Sequence, residues 1–186
     1  MDKDLFYIYQ IKQGDITVFS QLIDKYKDMV FNLAFQITKN REDAEEVSQD
    51  AFVKVYNSLH NFKGTSKFST WLYSIVYNTA ISKMRKKHID TVDIDSKSYS
   101  IEDNQETGLL LKQKEQKEYI NYALSKLNPD DRAIVILYYL ESKNINEIAE
   151  VTSMTANNIK IKLFRARKLM HSKLKTLLSN EISTIL

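Results

Sequence analysis

The stretch "NINEIAEVTSMTANNIKIKLFRARK", Asn144 to Lys168, decides how the chain is read. Apolar residues recur at helical spacing on both sides of a short break, "TSMT". Ala149 is the small residue that lets two helices cross closely, and Met154 plugs the turn between them. Thr155 stands where a helix cap is needed, and Ile159 and Leu163 face inward. This spacing fits a helix-turn-helix, whose second helix is built to enter the major groove of DNA. Ser153 occupies the turn position where glycine is usual, so some backbone strain is expected there.

The charge of the second helix agrees with that reading. Between Glu150 and Glu181 there is no acid, whereas Lys160, Lys162, Arg165, Arg167, Lys168, Lys173 and Lys175 are basic. With Ile159, Leu163, Ala166 and Met170 turned to a core, Thr155, Asn157, Asn158, Lys160, Lys162 and Arg165 fall largely on exposed faces. A helix that meets phosphates at every turn is weakened by acids. In the major groove Asn pairs bidentately with adenine and Arg with guanine. The bland alternative is a helical hairpin with a solvated basic face.

Working outward, 186 residues suffice for one ordinary domain or two small ones. Only 3 Gly and 1 Pro are present, which weighs towards an all-α protein because β folds need many Gly- and Pro-bearing turns. The formal net charge of +3 hides how unevenly charge is distributed. With no cysteine, disulfides, cysteine-ligated zinc and thiol switches are excluded within the chain. No apolar run approaches the ~20 residues that span a bilayer. The opening "MDKDLFYIYQIKQGD" also lacks a secretory signal's basic-then-apolar order. A cytoplasmic protein, without membrane insertion of this chain, is the expectation.

Helical periodicity places a short helix near Leu5 to Lys12, ended at Gly14, then a longer stripe from Phe19 through Leu22, Tyr26, Val30 and Leu33 to Ile37. "TKNRED" breaks it, and Ala44, Val47, Ala51, Val55 and Leu59 resume it in a helix with acids in its first turn, where they suit the helix dipole. "HNFKGTSKFSTW" reads as a loop from His60 to Lys67, closed by a Thr65 or Ser66 cap, before a long helix from Phe68 to Lys87. Asn128 followed by Pro129, Asp130 and Asp131 is a strong helix start. From Ile89 to Gly108 the pattern lapses. That segment carries Asp90, Asp93, Asp95, Glu102, Asp103 and Glu106 against one Lys97, and reads as a flexible acidic linker that could shield a basic surface. The expected architecture is all-α: two small helical domains, residues 1–88 and 109–178, joined by the linker 89–108, with the helix-turn-helix in the second and a tail 179–186.

Three segments in order carry a family resemblance: "DAEEVSQDAFVKVY" (Asp43 to Tyr56), "FSTWLYSIVYNTAISKMRKK" (Phe68 to Lys87) and the helix-turn-helix ending "LFRARKLM". With the upstream "IKQGDITVFSQLIDKYKDMVFNLAFQIT", they resemble a bacterial RNA polymerase sigma factor of the sigma-70 family, extracytoplasmic-function (ECF) group. The resemblance spans nearly the whole chain apart from linker and tail. It implies a protein that binds core RNA polymerase, directs it to promoters and helps melt the DNA.

By resemblance, the helix bearing Asp43, Glu46, Gln49, Asp50 and Phe52 docks on the polymerase. The loop and the helix after it, with Phe62, Lys63, Thr65, Ser66, Lys67, Trp71, Asn78, Lys83 and Arg85, meet the downstream (−10) element, with Trp71 supporting the loop from beneath. Thr155, Asn157, Asn158, Lys160, Lys162, Arg165 and Arg167 read the upstream (−35) element. An anti-sigma factor, with a membrane-spanning partner as one form, is implied too. The chain departs from the family pattern at Ser48, usually aliphatic, at Ser74 and Tyr77, often Arg, and at Ile161, commonly polar. Tyr77 could stack on a base or serve a core, and Ile161 could meet a thymine methyl or widen the core face.

Asp43, Glu46 and Asp50 share one helical face, as a divalent metal site would require, but no second carboxylate cluster converges on them. His60, His88 and His171 are isolated, and no Gly-rich phosphate loop exists. No catalytic residue, metal or cofactor is therefore expected. A stand-alone helix-turn-helix regulator and a metal-dependent nucleic-acid enzyme are the alternatives, distinguished by whether DNA binding, or cutting in Mg²⁺, occurs without polymerase.

Overall fold

A computed structural model of the chain describes residues 3–90 and 108–185, with side-chain surroundings given for 3–87 and 116–179. Among these residues every regular element is a helix: α1 (Lys3–Lys12), α2 (Phe19–Thr38), α3 (Arg41–Ser58), α4 (Phe68–Asp90), α5 (Gly108–Ser125), α6 (Pro129–Tyr139), α7 (Ile145–Thr152) and α8 (Ala156–Ile185). Short 3₁₀ turns at Ile16–Val18 and Leu59–Asn61 lead into α2 and out of α3. Of the expected linker, residues 91–107 lie outside the description. Its first two residues close α4 and Gly108 opens α5. The expected tail continues α8 as far as Ile185.

The helix ends follow from local chemistry. Asn40 accepts the Asp43 amide at 2.8 Å and starts α3 directly after Lys39, which ends α2 in the left-handed region at φ 55°. Asn128 accepts the Asp131 amide at 2.8 Å with Pro129 in the first turn, so α6 starts where the sequence places it. Asn144 and Glu147 form a capping box at α7. Neither Thr65 nor Ser66 caps α4 among the described hydrogen bonds. Its first turn is held instead by the Lys67 carbonyl, which accepts from the Thr70 and Trp71 amides.

Helices α2, α3 and α4 pack as a bundle with α1 across α2, while α5, α6 and α7 pack around α8. Leu22, Val30, Leu33, Ile37, Val47 and Leu72 are fully buried in the first unit, and Ile134, Leu137, Ile148, Val151 and Ile159 in the second. The two units also meet directly, α7 and α6 lying on α4 and α6 on α2, so their buried side chains join in one core. Arg132 is central to this seam. Its guanidinium donates to the carbonyls of Leu124, Ser125 and Leu127 within its own unit and, at 3.0 Å, to the Ile37 carbonyl at the end of α2. A cation at a helix C-terminus is favoured by the helix dipole, which offsets part of the cost of burying the charge.

Candidate nucleic-acid interface

The helix-turn-helix forms as its spacing requires. Ser153 adopts the left-handed region at φ 56°, which lets the chain reverse between α7 and α8. Thr155 Oγ1 accepts the Asn158 amide at 3.2 Å and caps α8. Ile159, Leu163 and Ala166 are buried against α6 and α7, with Met170 packed at the same core. The opposite face is open: Thr155, Asn157, Asn158, Lys160, Arg165 and Lys168 are exposed. Lys162 turns differently. Its ammonium donates to Asp131 Oδ1 at 2.6 Å, and only 24% of its side chain is accessible, so it ties α8 to α6. Arg167 lies at 3.5 Å from the Tyr139 hydroxyl and, with His171, borders an apolar groove of about 420 Å³ between α5, α6 and α8, away from the outward face.

Ile161, which the sequence leaves open between DNA and core, and Phe164, which the basic pattern passes over, stand in the middle of that outward face. Phe164 is 63% accessible and Ile161 41%. At 100° per residue they point opposite the buried stripe of Ile159, Leu163 and Ala166. Counting helical angles from the core positions is the signal that finds them.

In the first unit the loop before α4 is backed by a ring cluster. Phe62 is buried and packs against Phe68 and Trp71, with centroids 5.8 and 5.1 Å away. Its carbonyl accepts from the Lys12 ammonium at 2.8 Å. Lys63, Thr65 and Lys67 are exposed on this platform and Ser66 is half-buried. Gly64 takes φ 71°, a turn other residues resist. Along α4, Asn78 and Arg85 are exposed, whereas Tyr77 is buried with its hydroxyl donating to Asp130 at 2.6 Å across the seam. Lys83 is drawn to α3, where its ammonium meets Glu46 at 2.5 Å and Asp43 at 3.4 Å. The Glu46 partner holds the Lys83 pKa above its ordinary value. Lys87 joins Asp43 at 2.7 Å.

On α3, Glu46, Gln49 and Asp50 lie exposed on one face, while Phe52 packs at the core edge. Asp43 is turned towards Lys83 and Lys87. Ser48 is half-buried, and its hydroxyl donates to the Ala44 carbonyl at 2.6 Å. Towards the helix C-terminus the acidic face runs on into an apolar patch that the charge pattern hides: Val53 is 59% and Tyr56 46% accessible. Val53 follows Glu46 and Gln49 at helical spacing, which is the sequence signal for it. Among the described residues no group of three or more His, Asp or Glu converges as a metal site would, and no helix is long and apolar enough to cross a membrane.

A helix-turn-helix with an acid-free outward face, joined to a second helical unit with a basic loop on an aromatic platform, defines a DNA-binding protein of the transcription machinery. Residues 22–88 match the family model Sigma-70 region 2, and residues 117–170 match Sigma-70, region 4. The chain belongs to the sigma-70 family of RNA polymerase sigma factors, in its ECF group.

It is similar to the ECF RNA polymerase sigma factor SigW of Bacillus subtilis, 28% identical over 179 residues, 91% of this chain and 96% of that protein. The RNA polymerase sigma factor SigV of the same organism is 30% identical over 166 residues, covering 88% of this chain and 95% of that one. Among solved structures, the sigma factor RpoE in complex with the anti-sigma factor NepR from Bartonella quintana shares the fold at a TM-score of 0.70 and 24% identity, over 86% of this chain and 98% of that chain. CnrH in complex with the cytosolic domain of CnrY does so at 0.67 and 21% identity, over 96% and 99%. Sigma factors as a class are not enzymes.

Proposed function

We infer that this chain works as an alternative sigma factor: it binds core RNA polymerase, directs it to specific promoters and helps open the DNA, without catalysing a reaction itself. The observation that carries this reading is the acid-free outward face of α8, presented by a helix-turn-helix in the unit that matches Sigma-70 region 4. Thr155, Asn157, Asn158, Lys160 and Arg165 read the upstream (−35) element from that face, and Lys162 supports it through Asp131. Lys63, Thr65, Ser66, Lys67, Asn78 and Arg85 meet the downstream (−10) element, with Phe62 and Trp71 as the platform beneath. A loop presented on stacked rings beside cations suits a strand whose bases leave the duplex.

Glu46, Gln49 and Asp50, with Val53 and Tyr56 on the next turns of the same helix, form the polymerase contact. Charge there sets register and association rate, and the adjoining apolar patch adds affinity. Two weak DNA readers held on one polymerase act through effective concentration, so the free chain binds promoters poorly. The protein works in the cytoplasm, where polymerase and DNA are, and is held in check by an anti-sigma factor, the kind of partner with which the similar sigma factor RpoE forms a complex.

Transcription in vitro from fragmented genomic DNA, using purified bacterial core polymerase with and without this protein, tests the reading. Discrete new start sites sharing two spaced upstream elements are expected. Tight duplex binding without polymerase, and no new starts, would replace it with a stand-alone regulator.

A further inference from the structure

The outward face of α8 is polar and basic except for Ile161 and Phe164, which lie about 4.5 Å apart along the helix axis and stand 41% and 63% accessible. They adjoin on one side of the helix, between Asn157 towards its N-terminus and Lys168 towards its C-terminus, with Lys160 and Arg165 flanking. Neither belongs to the buried cluster around Ile159, Leu163 and Ala166, so core packing does not account for them. Single exposed apolar residues are ordinary on protein surfaces. An adjacent Ile and Phe at the centre of the one face shaped to enter DNA is not covered by that explanation.

In the major groove the apolar group offered by a base edge is the C5-methyl of thymine. We propose that Ile161 and Phe164 are specificity-determining residues that read thymine methyls in the upstream element, while Lys160, Arg165 and Lys168 hold the phosphates and polar base edges around them. The proposal rests on the sigma-factor reading above and goes further, because it assigns a base class to two positions. The separation of the two side chains along the helix is near one base step, so the methyls belong to the same or neighbouring base pairs. The contact is a desolvation, and losing one methyl removes about a fourfold factor in affinity.

The test uses holoenzyme, formed from core polymerase and the full chain, on promoters recovered from the start-site experiment. Each thymine of the upstream element, on either strand, is replaced singly by deoxyuridine, which deletes the methyl and leaves base pairing intact. At one or two positions the wild-type holoenzyme should bind about fourfold more weakly to the deoxyuridine promoter. At those positions Phe164→Ala or Ile161→Ser holoenzyme should no longer distinguish the two bases. Arg165→Ala holoenzyme should bind more weakly throughout yet keep the distinction. Because both side chains are exposed, the variants should melt as wild type does, which separates lost reading from lost folding.

Equal binding to thymine and deoxyuridine at every position would overturn the proposal. So would a preference for thymine that persists in both apolar variants. If no discrete starts arise with core polymerase, the sigma-factor reading falls and takes this one with it. Discrete starts without a methyl effect remove this inference alone.

Discussion

Lys162 and Arg165 carry the same charge three positions apart, yet their surroundings assign them different work. Arg165 is exposed on the outward face of α8, whereas Lys162 is bonded to Asp131 at 2.6 Å and largely covered. Arg165→Ala should cut promoter binding by holoenzyme about tenfold, the order expected for one lost base or phosphate contact, with the melting temperature unchanged. Lys162→Ala should do the reverse, lowering stability by about 1 kcal/mol with a smaller loss of binding. Thermal melts and promoter titrations of the two variants side by side check this, and a melting temperature unaffected by Lys162→Ala would return that lysine to the DNA face. Ser153 allows a second check. A residue with a Cβ in the left-handed region costs roughly 1 kcal/mol relative to glycine, so Ser153→Gly should raise stability by about that amount.

At the scale of elements, α3 shows how one helix serves two neighbours. Its inner edge gives Asp43 to Lys83 and Lys87, which fastens α3 to α4, and its outer face leaves Gln49, Asp50, Val53 and Tyr56 to solvent. Glu46→Ala with Gln49→Ala should weaken core polymerase binding while leaving the weak promoter binding of the free chain unchanged. Val53→Glu should weaken polymerase binding at least as much, since it places a charge on the apolar patch of the proposed contact. Polymerase pull-down with graded competitor decides it, and full binding by both variants would move the contact elsewhere.

Element boundaries were legible because caps and periodicity are local: Asn128 with Pro129, Thr155 and the turn at Ser153 all lie within a few residues of what they control. The direction of single side chains was less so. Phe62 lies beneath the loop that resemblance gives to DNA, Lys162 lies on Asp131 and Lys83 on Glu46. Each is fixed by a partner from another helix, and period alone does not name that partner. Phe164 was missed for the opposite reason: an apolar residue inside a basic run reads as core until the helix is turned and its angle counted.

For the whole molecule, the groups whose protonation is most disturbed gather at the seam between the two units. Burial, with Arg132 nearby, pulls the Lys39 ammonium down to about 8. Burial and the bond to Glu141 push the Tyr73 hydroxyl well above its ordinary range, and burial with the bond to Asp130 does the same for Tyr77. Lys143 sits 4.8 Å over the Tyr73 ring, so the same tyrosine is gripped from two sides. These shifts give stability a pH profile with two limbs.

Between about 8 and the ordinary lysine value of 10.5, folded chains have released the Lys39 proton while unfolded chains still hold theirs. The unfolded state then binds more protons, so stability rises with pH across that window. Above the ordinary tyrosine value of 10.0 the order reverses: unfolded tyrosines ionise while Tyr73 and Tyr77 keep their protons, and stability falls. Wild-type protein should therefore gain melting temperature from pH 7 towards 9.5 relative to Lys39→Met, which has no such proton to release, and the gap between the two should close over that interval. Tyr73→Phe and Tyr77→Phe should each blunt the decline above pH 10. Parallel melting curves for wild type and Lys39→Met at every pH would show that Lys39 keeps its charge in the folded chain. The seam would then be a wetter contact than the bonds of Arg132, Tyr73 and Tyr77 describe.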